Sequence, residues 1–224
     1  MIDVAVVDYG MGNLRSVAKA LEHVAPGLRI AVTSDPQQVA RAARIVFPGQ
    51  GAMPDCMREM QARGLHEAVL AAARTRPFLG ICLGLQMLFE QSEEGGVPGL
   101  ALFAGRVRRF PHEATGGARM KIPHMGWNEV HQVAPHPLWE GIAQGTRFYF
   151  VHSYFPDPAE RGLVAGETTY GVTFACACAR ANVFAVQFHP EKSQAAGLRL
   201  LANFVAWQPA ARHEARGAAA SPAL

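Results

Sequence analysis

Over the first 90 residues, apolar positions gather in short runs divided by amphipathic stretches. Ile2–Val7, apolar apart from Asp3, predicts a strand buried on both faces, and Asn13–Val24 has the spacing of a helix. Leu28–Val32 and Ile45–Phe47 predict two further strands, Leu65–Ala73 a helix, Phe78–Ile81 a strand and Leu85–Phe89 a helix. Runs this short do not separate strand from helix by periodicity alone, so the flanking Gly and Pro residues decide. Strands alternating with helices are the pattern of a parallel sheet with crossover helices.

After Gly95 helical spacing fades, and β-type runs follow at Val107–Phe110, Asn128–Val133, Arg147–Val151, Leu163–Thr168 and Val183–Phe188. These predict antiparallel or mixed pairing. Helical spacing returns at Gln194–Trp207, with Leu198, Leu201, Phe204 and Val205 on one face. No linker divides the halves. The expectation is one α/β domain over residues 1–207, a central mixed and mostly parallel sheet flanked by helices. Residues 208–224, rich in Ala with Pro, Gly and Ser, read as a flexible C-terminal tail.

The chain has 224 residues, 50% hydrophobic and 17% charged, which excludes collagen-like and disordered classes. A net charge of +3 is too small to mark a nucleic-acid protein. No apolar stretch is long enough to span a membrane, and Asp3 and Asp8 stand where an export signal would be basic and then apolar, which predicts a cytoplasmic protein. The four cysteines, Cys56, Cys82, Cys176 and Cys178, lack C-x-x-C spacing, so no metal site is expected. Cys176 and Cys178 lie in the apolar run Val172–Ala179, as buried small residues of one strand or as a redox pair. Arg106, Arg108, Arg109, Arg119 and Lys121 surround Gly116-Gly117, as a solvated hairpin or as an edge facing an anion or a partner.

The chemistry gathers at three places. In Pro77–Gln86 a strand runs into a helix through Gly80-Ile-Cys82-Leu-Gly84, the thiol counterpart of the nucleophile elbow, which would present Cys82 at a helix N-terminus that favours thiolate. The other reading is a buried cysteine whose glycines serve packing. A thiolate needs a base, and Val183-Phe-Ala-Val-Gln-Phe-His189-Pro-Glu191 brings His189 to a strand end with Glu191 two residues on, on the same side of an extended segment that Pro190 would hold. Third, Pro48-Gly49-Gln50-Gly51 is a glycine-rich turn able to aim backbone N–H groups at an oxyanion, or a plain βα turn.

With these three pieces in this order, the chain resembles the class I glutamine amidotransferases, which carry a Cys-His-Glu triad on a flavodoxin-like fold. Asp8-Tyr-Gly-Met-Gly-Asn-Leu14, Pro123-His-Met-Gly-Trp-Asn128, Tyr149-Phe-Val-His-Ser-Tyr154 and His189-Pro-Glu-Lys-Ser193 look like the glutaminase subunits of imidazole glycerol phosphate synthases. The likeness extends over residues 1–207. It implies hydrolysis of L-glutamine through a thioester on Cys82, with His189 as acid and base, Glu191 orienting it, and amides near Gly49 and Gly51 forming the oxyanion hole. It further implies that Gln86, Glu94, Ser153 and Tyr154 hold glutamine, with no cofactor. Ammonia would pass to a (β/α)8-barrel cyclase subunit in a heterodimer of histidine biosynthesis. Asn13, Met125, Trp127 and Tyr149 would touch that partner, core packing being the alternative for each. Gln50 replaces a small apolar residue and leaves the resting shape of the oxyanion turn open. Other synthases' glutaminases and a non-catalytic scaffold are the competing readings.

Overall fold

The computed structural model describes residues 2–209. Its first half alternates strands with helices: β1 (Val4–Val7), α1 (Leu14–Val24), β2 (Ile30–Thr33), α2 (Pro36–Arg41), β3 (Arg44–Gly49), α3 (Met53–Ala62), α4 (Leu65–Thr75), β4 (Phe78–Cys82) and a single turn, α5 (Leu83–Gln86). The second half holds β5 (Phe89–Ser92), β6 (Phe103–Arg109), β7 (His124–Glu129), β8 (His131–Gln132), β9 (Arg147–His152), β10 (Tyr154–Pro158), β11 (Val164–Tyr170), β12 (Val172–Arg180), β13 (Val183–Val186) and α6 (Gln194–Ala206).

The main sheet has the order β2-β1-β3-β4-β13-β12-β11-β8. The first five strands are parallel, and β12, β11 and β8 continue it antiparallel. This is the mixed, mostly parallel sheet expected. Crossovers leave β1 in both directions, so helices cover both faces. Ala5, Val7 and Phe47 pack under Val39, Met60 and Val69 of α2, α3 and α4 on one face; Val4, Val6 and Leu79 pack under Leu21, Leu200 and Phe204 of α1 and α6 on the other. Burial on both sides explains why β1 reads as a continuous apolar run. Two smaller sheets, β10-β6-β5 and the ribbon β7-β9, lie beside it. Among the described residues no helix is long and apolar enough to cross a membrane.

Several expectations need correction. The helix expected at Leu85–Phe89 is the one-turn α5, and Phe89 begins β5. Leu83, Leu85, Met87, Leu88 and Phe89 are all buried, so that run has no polar face to reveal its period, and pairing with β6 decides it. The run at Asn128–Val133 breaks at Val130 between β7 and β8, which join different sheets. The strand expected to reach Phe188 stops at Val186. On α6 the buried face is Gly197, Leu200, Leu201 and Phe204, while Leu198 and Val205 are half-buried. Missed altogether were α2, with Asp35 Oδ1 accepting from the Gln37 N–H at its start, and α3, despite buried Met53, Cys56 and Met60 at helical spacing. So was β10, whose Pro156 and Pro158 are tolerated because it is an edge strand.

Cys176 and Cys178 are free and fully buried on β12, as the simpler reading held. The basic segment is a hairpin: Gly116 and Gly117 turn it at positive φ, Glu113 and Arg119 pair across it, and Arg108 reaches Asp157 at 3.5 Å and Glu93 at 3.9 Å. Residues 210–224 of the expected tail lie outside the described residues.

Candidate active site

In a doubly wound sheet, ligands sit beyond the carboxyl ends of the strands. Three adjacent strands, β3, β4 and β13, end there, and each delivers one part of the predicted chemistry. Gly49 pairs with Cys82 across β3 and β4, and Val186 pairs with Ile81 across β13 and β4. Parallel register therefore brings residues more than a hundred positions apart to one rim.

Cys82 has φ 55° and ψ −113°, outside the regions a residue with a side chain normally occupies. The turn can close because Gly84 lies against the Phe47 carbonyl. This is the predicted elbow. The expected helix dipole is reduced to that of α5's single turn, so positive charge at the sulfur has to come from elsewhere.

It comes from His189. The ring is buried, and Nδ1 lies 2.8 Å from Oε1 of Glu191, whose side chain is also almost fully buried. The route differs from the expectation: Pro190–Lys192 form a 3-10 turn rather than an extended segment, and the turn brings Glu191 back to His189. A carboxylate can only accept, so Nδ1 carries a proton in either charge state of the ring and Nε2 is the atom that gains or loses one. Burial works against a charged ring here. It is outweighed by the negative charge of Cys82 and by Glu191, which together raise His189 to about 10. Nε2 itself makes no hydrogen bond within normal geometry, so its coupling to Cys82 is electrostatic.

A cavity of about 450 Å³ opens over these groups. Cys82, Gln86, Glu94, Ser153, Tyr154 and His189 line it, as do Gln50, Gly51, Leu83, His152 and Lys192. Of the predicted oxyanion pair, Gly51 faces the cavity with φ 99°, whereas Gly49 is packed behind it, where a Cβ would meet Gly84 N, Leu83 Cβ and the Tyr9 hydroxyl, each at 2.7 Å. The turn is held from beneath: Tyr9 donates to the Pro48 carbonyl at 2.7 Å and Cys56 donates to that of Gln50 at 3.3 Å. Burial pushes Cys56 up to about 12, so this S–H donor persists at neutral pH. Glu94 accepts from the Met53 N–H at 2.9 Å, which caps α3 in place of Ala52, a residue with no capping side chain.

Sequence reasoning missed Gln187, His152 and Leu83. Gln187 is fully buried with Nε2 3.6 Å from Cys82 Sγ. An amide inside the apolar run Val183–Phe188 was the available signal. His152 donates from Nδ1 to the Tyr154 carbonyl at 2.8 Å and accepts at Nε2 from His124 Nδ1 at 3.0 Å. Burial, with the charge that His124 and His189 can carry close by, pushes it down to about 3. Leu83 follows the nucleophile, and the elbow itself signals its backbone N–H as an oxyanion donor.

The arrangement can carry acyl transfer: a nucleophile at an elbow, a base with its orienting carboxylate, and backbone donors around one cavity. The class-I glutamine amidotransferase family matches residues 5–207. The imidazole glycerol phosphate synthase subunit HisH of Aromatoleum aromaticum is 68% identical, over 93% of this chain and all of that one. The chain belongs to the class-I glutamine amidotransferases. Among them it falls with the HisH subunits, since that of Dechloromonas aromatica is also 67% identical over 92% of this chain and 97% of its own length. The fold agrees at low identity: the glutaminase domain of Trypanosoma brucei CTPS, 18% identical, superposes with a TM-score of 0.62 over 93% of this amidotransferase and 95% of that chain.

Of the four residues expected at a partner interface, Tyr149 adjoins the triad, its carbonyl accepting from the His189 N–H at 2.9 Å. Met125 is 66% and Trp127 45% exposed on β7, opposite β9, where Tyr149 pairs with Trp127 and lies 5.9 Å from Lys192 Nζ. Asn13 caps α1, its Oδ1 accepting from the Ser16 N–H at 3.4 Å.

Proposed function

We propose that this amidotransferase works in the cytoplasm as the glutaminase subunit of imidazole glycerol phosphate synthase in histidine biosynthesis, with Cys82, His189 and Glu191 as its triad. Cys82 at a strained elbow, beside a His189 raised toward imidazolium and braced by Glu191, is the observation that carries this reading. The Cys82 thiolate adds to the side-chain carbonyl carbon of glutamine. The oxyanion formed is met by backbone N–H groups of Leu83 and the Gln50–Gly51 turn. His189 protonates the departing nitrogen, ammonia leaves and a γ-glutamyl thioester remains. A water, deprotonated by His189, then releases glutamate and restores the thiolate. Glu191 keeps the imidazole in the tautomer whose Nε2 exchanges protons.

For the substrate, Gln86, Glu94, Ser153 and Tyr154 are the groups we assign. Both hydrogens of Gln86 Nε2 are already committed, to Tyr154 O and Gln187 Oε1. Gln86 therefore offers its carbonyl oxygen, an acceptor suited to an N–H of glutamine.

Ammonia in neutral water is protonated and loses its lone pair, so a synthase needs a second active site within reach of the first. Such a subunit implies a partner. We assign that role to a (β/α)8-barrel cyclase chain, typically about 250 residues and so not contained in these 224. Exposed Met125 and Trp127, with Tyr149 opposite Trp127, supply the docking face we propose, and Asn13 is the fourth residue we assign to it.

The test is glutamate formation from L-glutamine by the chain with its cyclase subunit. Turnover should rise with the partner and disappear in Cys82→Ala. Turnover that survives in Cys82→Ala would overturn the mechanism.

A further inference from the structure

We propose that the side-chain amide of Gln187 donates a hydrogen bond to the Cys82 thiolate and holds it for attack, in an orientation that Gln86 imposes. The proposal rests on Cys82 being the nucleophile. Gln187 follows β13 where the register continues opposite Cys82, and its own N–H is anchored to the Cys176 carbonyl at 2.8 Å. Nε2 lies 3.6 Å from Sγ, a normal separation for the large sulfur atom, and Oε1 lies 2.9 Å from Gln86 Nε2.

The sense of this chain follows from its far end. Gln86 Nε2 also lies 2.9 Å from the Tyr154 carbonyl oxygen, which can only accept. That atom of Gln86 is therefore the nitrogen, and its second hydrogen goes to Gln187. Gln187 must then face Gln86 with its oxygen and the sulfur with its nitrogen. The usual ambiguity of a side-chain amide is removed by one backbone carbonyl. The same carbonyl accepts from His152 Nδ1, which leaves His152 Nε2 to accept from His124. Every bond from His124 onward has one permitted direction.

A neutral thiol is a weak acceptor and a thiolate a strong one, so a fixed donor at Sγ favours the charged form. As a thiol, Cys82 would find the Val151 carbonyl only at 3.9 Å, a long contact for its hydrogen. The proton moves from Sγ to His189 Nε2, and Gln187 exchanges none. Packing alone does not account for an amide here, because a fully buried polar group costs stability that an apolar residue of the same size would not.

The experiment is alkylation of the chain, in complex with its cyclase subunit, by iodoacetamide across pH 5–10. In Gln187→Met the rate at pH 7 should fall about tenfold while the high-pH plateau is kept. In the isosteric Gln187→Glu, whose carboxylate would repel the thiolate, it should fall further. Rates at pH 7 within about twofold of the unsubstituted protein in the folded variants would overturn the proposal. Should neither variant fold, the Gln187 side-chain amide resonance of the unsubstituted protein decides: it should move with pH along the alkylation profile, and a resonance indifferent to pH overturns the proposal. Alkylation that leaves glutamine hydrolysis intact would instead sink the nucleophile assignment, whatever Gln187 does.

Discussion

A side chain on Gly84 would collide with the carbonyl oxygen of Phe47, so β3 and the turn after Cys82 approach as they do only because position 84 lacks a Cβ. The contact ties the oxyanion turn, which continues from β3, to the elbow that presents the sulfur. Gly84→Ala should cost about 1–3 kcal/mol of stability and nearly all glutaminase activity, since relief requires β3 and β4 to separate at the site. Gly162→Ala is the comparison, because a Cβ there meets nothing within 4 Å. Urea unfolding and glutamate release on both variants check this. An active, stable Gly84→Ala protein would contradict it.

Glu191→Gln should keep the fold, because its shape is retained, but lower kcat by about 100-fold or more with little change in KM. A neutral amide can offer its NH2 to Nδ1 and favour the wrong tautomer. Steady-state kinetics with glutamine measure this, and a fall confined to KM would argue that Glu191 binds substrate instead.

Three of the four thiols should ignore a mild electrophile. Burial pushes Cys56 up to about 12 and holds Cys176 and Cys178 well above the ordinary thiol range. At pH 7 the native protein should take up one equivalent of iodoacetamide, on Cys82. Peptide mass spectrometry reads the sites directly, and modification of Cys56 at a comparable rate would speak against the packing described.

Acid should destabilise the protein earlier than its carboxylates alone would. Burial lowers His124 and His136 to about 4 and His152 to about 3, whereas an unfolded chain protonates histidine near pH 6.5. Below pH 6.5 the unfolded state therefore binds more protons, and stability falls with pH by up to about 1.4 kcal/mol per unit for each. His189 has the opposite sign: raised to about 10, it contributes fully below pH 6.5 and loses that contribution as pH climbs toward 10. Urea midpoints should peak near pH 6.5, and a midpoint level between pH 6.5 and 4.5 would refute the acid limb.

Much of the site was legible because its chemistry is local. Gly80-Ile-Cys82-Leu-Gly84 encodes an elbow within five residues, and His189 and Glu191 are two apart, close enough for either an extended segment or a 3-10 turn to join them. Gly51 could be named from its turn; that Gly49, chosen on the same ground, is packed where a Cβ would collide could not be read from the sequence. Glu94 could be named but not its bond to Met53, 41 positions away.

The sequence by itself determined an alternating α/β chain, the buried runs of β1, β3 and β4, and which residues could act as nucleophile, base and orienting acid. Those follow from side-chain chemistry and from spacings of a few residues. Only the tertiary structure decided that the apolar run ending at Phe89 turns into a strand, that Gly49 packs while Gly51 faces the cavity, and that Gln187 meets the sulfur of Cys82. Each of these depends on which strand ends lie side by side, and that register is set by packing between residues dozens to more than a hundred positions apart.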